Sequence, residues 1–106
     1  MKLEKDFQGK VLIPEIKRRL PGCIILKNDA DYIQGIPDLT VFYEDRWAML
    51  EVKKSVKAKH RPNQDAWVEK ANHMSFASFI YPENKDAVLD QMVAHMHSNH
   101  IQELVA

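Results

Sequence analysis

Cysteine is nearly missing from this sequence. The single Cys23 cannot close an internal disulfide, which excludes a disulfide scaffold and fits a reducing compartment. It lies beside Ile24 and Ile25 and reads as a small core residue. No apolar run approaches the roughly 18 residues that a membrane-spanning helix needs. The first residues, Met1-Lys2-Leu3-Glu4-Lys5-Asp6, lack the apolar stretch of a secretory signal, so the expected compartment is the cytoplasm. There is no internal repeat, no Gly-rich phosphate loop and no Ser-His-Asp or Cys-His relay. Net charge is missing too, because 15 Lys+Arg offset 15 Asp+Glu.

What is present is a 45% hydrophobic composition with two tryptophans, enough for one modest core and too little for two. We therefore expect one domain over residues 1–106, with a C-terminal helix and polar tail from about residue 84. The charges, though balanced, are segregated. Residues 29–51 hold six acids and one base, Arg46, whereas residues 53–61 hold five bases, His60 and no acid. An acidic stretch running straight into a basic one suggests a cation site beside an anion-binding surface.

Periodicity supplies the elements. Leu3, Phe7, Val11, Leu12, Ile16 and Leu20 keep helical spacing, with Pro14 expected to kink or restart the helix and Pro21-Gly22 to stop it. Residues 23–26, 37–43, 47–53 and 75–81 read as strands, the middle two joined as a hairpin around Glu44-Asp45-Arg46. A basic loop covers residues 54–61, Pro62 opens a helix reaching about Asn72, and a last helix follows Pro82-Glu83-Asn84. The order α-β-β-β-α-β-α gives an α/β domain with a short, partly antiparallel sheet between helices.

The hairpin carries the chemistry. A turn centred between Glu44 and Asp45 sets Asp38 opposite Glu51, and directly opposed residues have Cβ atoms roughly 4.5–5.5 Å apart. Strand alternation puts Glu51 and Lys53 on one face and leaves Ala48, Leu50 and Val52 as a core stripe on the other. Two carboxylates so close repel unless a cation neutralises them, and hard oxygen donors suit Mg²⁺ or Mn²⁺. A lysine beside such an ion can orient water or offset charge on a phosphate. The loop bearing Lys54, Lys57, Lys59, His60 and Arg61, with Asn63 after it, would hold a polyanionic backbone through phosphate contacts. Together these describe metal-assisted phosphodiester hydrolysis. His95, His97 and His100 lack the companions for a zinc site and read as a polar tail. Met74, Met92 and Met96, with Trp67, Phe76 and Phe79, read as core packing.

Gly35-Ile36-Pro37-Asp38, then Glu51-Val52-Lys53, then Gln64 in a helix resembles the PD-(D/E)xK nuclease superfamily, in particular its small phage and bacterial VRR-NUC type, related to Holliday-junction resolvases. The resemblance spans residues 3–92. It implies a restriction-endonuclease-like fold, with an α-β-β-β-α-β core and a mixed sheet flanked by helices, in a protein of bacterial or phage-infected cytoplasm. It further implies Mg²⁺-dependent DNA cleavage, with Mn²⁺ able to substitute. Asp38 and Glu51 would be catalytic metal ligands, the backbone carbonyl of Val52 a third, and Lys53 the catalytic lysine. A first-helix glutamate would stand near the metal. Glu4 is preferred over Glu15, which sits beside Lys17-Arg18-Arg19. Gln64 would lie near the site or simply cap its helix. No sequence-reading element is visible, so the expected substrate is branched, nicked or flapped DNA. Two-strand cleavage by a chain with one site would require a homodimer or larger assembly, for which Val93 or Met96 on the last helix is the candidate contact. The rival readings are a DNA-binding or assembly module without turnover and a nuclease acting on RNA.

Overall fold

The computed structural model describes residues 2–98. Helix α1 (Lys2–Asp6) runs into a π-helical segment (Phe7–Leu12) and then α2 (Ile13–Arg19). Pro14 explains the widened turns. It has no N–H to continue the α ladder, and the Ile13 amide instead reaches back five residues to the Gln8 carbonyl. Pro14 itself sits in the first turn of α2, where its missing donor costs nothing. The helix is thus restarted rather than stopped.

Strands β1 (Ile24–Lys27), β2 (Leu39–Tyr43) and β3 (Arg46–Val52) pair antiparallel. Helix α3 (Pro62–Met74) crosses over to β4 (Phe76–Ile80), which lies parallel to β3, and α4 (Lys85–Met96) closes the described fold. The result is a four-stranded mixed sheet in the order β1-β2-β3-β4. The hairpin register is the expected one, with Tyr43 opposite Arg46 and Leu39 opposite Leu50. Glu44 holds φ at 58° in the tight turn.

Alternation gives the sheet two unlike faces. Leu39, Val41, Ala48, Leu50, Val52 and Ile80 are fully buried on one of them, packed with Leu12, Ile16 and Leu20 of the N-terminal helices and Leu89 and Met92 of α4. Against the other face, α3 lies on β3 and β4. Beyond its cover Ile24, Leu26 and Phe42 stay exposed.

Several expectations are corrected here. Met96 is buried, as its core reading expects, and so is not free to make a contact between copies, while Val93 is half-buried against the core. Met74, expected inside, is 68% exposed at the end of α3. His95 is no tail residue: its Nε2 meets the Ser75 hydroxyl at 2.9 Å, while the ring of His97 stands edge-on to Tyr43. His100 lies outside the described residues. Cys23 packs half-buried against the core as expected. No described helix is long and apolar enough to cross a membrane.

Candidate active site

Three devices bring Asp38 to Glu51. The hairpin register places them opposite each other at the open end of β2 and β3. Asn28, just past β1, donates from its side chain to the Pro37 carbonyl (2.9 Å) and the Thr40 hydroxyl (2.8 Å), and its amide binds the Asp38 carbonyl (2.8 Å). Finally, the Val52 amide donates to Asp38 Oδ2 at 2.8 Å. Residues of a strand point their N–H and C=O to the same side, so the Val52 carbonyl lies on the Asp38 side of β3.

Glu51 and Lys53 are both buried on the α3 face of the sheet. Lysine and glutamate are rarely buried unless paired, and Gln64 supplies the pairing. Its Nε2 donates to Glu51 Oε2 (3.1 Å), while its Oε1 accepts from Lys53 Nζ (2.8 Å) and from the Arg61 amide (3.1 Å). Lys53 Nζ also donates to the Lys59 carbonyl (3.0 Å) and stands 3.8 Å from Glu51 Oε2. Gln64 therefore does both things weighed for it: it caps the first turn of α3 and fixes the ammonium against the carboxylate.

Burial is the largest influence on both acids. It pushes Asp38 above the usual carboxylate range, against the pull of the Val52 amide, and the charge of Glu4 pushes further. Glu51 is pushed up to about 8 by burial and then by the charge of Asp38, with Lys53 opposing. Glu4 shares a small cavity with Lys5, Gln8 and Asp38. Glu15, its competitor, is instead tied to Arg19 and Lys85. Among the described residues no three acids, histidines or cysteines close into a metal-holding cluster. Asp38 and Glu51 are the pair brought together, with Glu4 flanking them.

The pair opens into a polar cavity of about 170 Å³. One wall is the start of α3, with Arg61, Asn63 and Gln64; the opposite wall is the loop after β1, with Asp31, Gln34 and Gly35. Sequence reasoning left that loop as turn-rich connection. Gly35 is its hinge, at φ +81° and so close to α3 that a Cβ would stand 2.8 Å from Asn63 Cγ. Asn63 Oδ1 is buried there with no hydrogen-bond partner. The indole N–H of Trp67 donates to the Gln34 carbonyl (3.1 Å), fastening the loop to α3. The only signal in the sequence was Gly35 before Ile36-Pro37.

The basic loop is split. Lys54, Lys57, Lys59 and Arg61 are solvent-exposed as expected. His60 stacks on Phe79 at 3.8 Å and meets Asp65 Oδ1 at 3.0 Å, so its ring braces the loop. In comparisons with known proteins, no family model matches the chain, and no curated protein and no solved structure matches it.

Proposed function

We propose that the chain is a Mg²⁺-dependent endonuclease of the PD-(D/E)xK type that hydrolyses DNA phosphodiester bonds, selecting branched or flapped structures rather than sequence. One observation carries the reading: Asp38 and Glu51 are opposed at the mouth of a polar cavity, with Lys53 buried on the same face and held by Gln64. The donor set fits a hard divalent ion. Mg²⁺ is commonly held by one or two carboxylates together with substrate phosphates, and this cavity offers two whose burial makes their charge costly without a cation.

Asp38 and Glu51 would hold the ion, with the Val52 carbonyl on the same edge and Glu4 at the flank. A bound divalent ion would polarise a phosphoryl oxygen and acidify water. The protein's own groups do the rest. Val52 and Asn28 fix the orientation of Asp38. Lys53, with its ammonium anchored by Gln64 and the Lys59 carbonyl, presents a fixed positive charge where negative charge develops on phosphorus-bound oxygens. Arg61 at the cavity and the exposed Lys54, Lys57 and Lys59 on the loop before it would neutralise backbone phosphates, which positions a strand without reading its bases.

The test is cleavage of supercoiled plasmid and of a branched oligonucleotide in Mg²⁺, Mn²⁺ or EDTA, with Lys53→Ala and an RNA counterpart of the branched strand. Metal-dependent cutting of DNA, lost in Lys53→Ala, supports the reading. Binding without cleavage under every metal would leave a binding module, and cutting of RNA alone a ribonuclease.

A further inference from the structure

The loop that forms one wall of the cavity has a second side. Tyr32, at its tip, is 84% exposed, the highest among the large exposed apolar and aromatic residues described, and Ile33 beside it is 36% exposed. Such a ring in a floppy loop would mean little, but this loop is pinned. The Tyr32 and Ile33 amides both donate to the Asp29 carbonyl (3.1 Å each), the Asp31 amide donates to Asp29 Oδ1 (2.9 Å), and the Ile36 amide to the Ile33 carbonyl (3.3 Å). Trp67 then fastens Gln34 to α3, and Gly35 packs closely against Asn63 at its start. Among the described residues the Tyr32 ring has no aromatic partner.

Across the cavity stands the opposite kind of rim, with Arg61 at its edge and Lys54, Lys57 and Lys59 on the loop leading to it. Asp38 and Glu51 face the cavity between the two rims, and Asp31 lines it from the loop. A strand crossing the cavity would therefore meet cations suited to its phosphates on one side and, on the other, an exposed aromatic ring whose chain neighbours Asp31 and Gln34 line the cavity. An aromatic face accepts any unstacked base and no base that is still within a duplex. Because the loop backbone is already tied down, little backbone freedom is lost when a base settles on the ring.

Resting on the nuclease reading, we propose that Tyr32, backed by Ile33, is a stacking platform for an unpaired base beside the scissile phosphate, and that it selects DNA with single-stranded character at the cut site. The hydroxyl plays no part, since stacking uses the ring face.

The experiment uses the full chain and two DNA probes of one sequence, a continuous duplex and a duplex with a short unpaired flap carrying 2-aminopurine at the branch. Affinity and 2-aminopurine quenching are read in EDTA for wild type, Tyr32→Ala and Tyr32→Phe, and KM and kcat are read in Mg²⁺. The wild type should quench the fluorophore. Tyr32→Ala should lose roughly 5- to 150-fold in affinity for the flapped probe, the usual range for one base–aromatic stack. That loss should appear in KM more than in kcat, with duplex binding unchanged and Tyr32→Phe behaving as wild type. Equal behaviour of Tyr32→Ala and wild type on both probes, or an equal loss on both, overturns the stacking role while leaving the nuclease reading standing. Failure of the wild type to bind or cut either DNA overturns both.

Discussion

Two groups of charges hold this molecule together, and they are built on opposite rules. Between α2 and α4 every acid has a base: Glu15 with Arg19 and Lys85, Asp90 with Arg19 at 2.7 Å, and Asp86 with Lys85 at 2.9 Å. The bonds from Lys85 lower Glu15 and Asp86, and Asp90 and Glu15 raise Arg19 and Lys85 respectively. At the cavity, Lys53 is the cation whose charge offsets Asp38 and Glu51 while the nearby Glu4 adds to theirs, and burial drives both central acids the other way. The balanced group needs nothing more than the fold provides. In the unbalanced one the fold leaves the cost of charge unmet, and strongly perturbed acids in a cavity are candidates for a functional site.

The largest expected contrast is in activity. Lys53→Ala should lower cleavage by at least about 100-fold, the scale on which a fixed electrostatic donor acts. Lys85→Ala, which unbalances the other group, should leave kcat unchanged and lower the thermal midpoint instead. Circular dichroism on both variants separates chemistry from folding. Comparable loss of cleavage in the two would erase the distinction.

Gly35→Ala comes next, because it forces a side chain into Asn63 at a backbone angle that L-residues rarely adopt. Strain of that kind costs about 1–3 kcal/mol, and displacement of the cavity wall should reduce cleavage as well. Gly9→Ala, whose new Cβ would meet nothing within 4 Å, is the matched control and should be neutral or better. Thermal melts and plasmid nicking report both.

The two groups should also respond oppositely to pH in metal-free protein. Glu51 has its folded pKa raised from 4.5 to about 8. Between those values the folded state binds more protons than the unfolded one, so stability falls as pH rises through that window. Glu51→Gln should therefore raise the midpoint at pH 8, by roughly 4–8 °C for each ~1 kcal/mol relieved, and flatten that slope. Glu15 is lowered, so its contribution is complete above its unfolded value of 4.5 and disappears as pH falls through the folded value. Glu15→Gln should lower the midpoint at neutral pH, and the deficit should shrink in acid. Melts from pH 4 to pH 9 read both signs.

The smallest effect belongs to the exposed rim. Lys57→Ala should weaken DNA binding only modestly and lower the dependence of log affinity on log salt by about 1. Binding titrations at several salt concentrations measure it.

How much of this was legible beforehand follows from which contacts are local. The two-residue turn at Glu44-Asp45 and the alternation of β3 were enough to oppose Asp38 to Glu51 and to set Lys53 apart from Leu50 and Val52, because a strand's period leaves no freedom. Glu4 was preferred over Glu15, without being singled out, because Lys17, Arg18 and Arg19 lie beside the latter. The loop wall was not legible. Asn28, Gln34 and Gly35 act through Thr40, Trp67 and Asn63, partners that only the folded chain brings near. Met74 was misassigned, and Met96, read correctly as core, was wrongly offered as a contact as well, for a related reason: a helical period shows that a face exists but not which face the sheet covers. Gln64 was read through the family resemblance, and no spacing rule points to its hydrogen bonds to Glu51 and from Lys53.

The claim beneath all of this is that the unbalanced acids are a cation site. It is tested most directly by calorimetric titration of Mn²⁺ into the wild type, Asp38→Asn, Glu51→Gln and Glu15→Gln at pH 8. The expected result is saturable binding in the wild type and Glu15→Gln, lost or greatly weakened in Asp38→Asn and Glu51→Gln. Binding that is indifferent to Asp38 and Glu51, or no binding by the wild type, would contradict it.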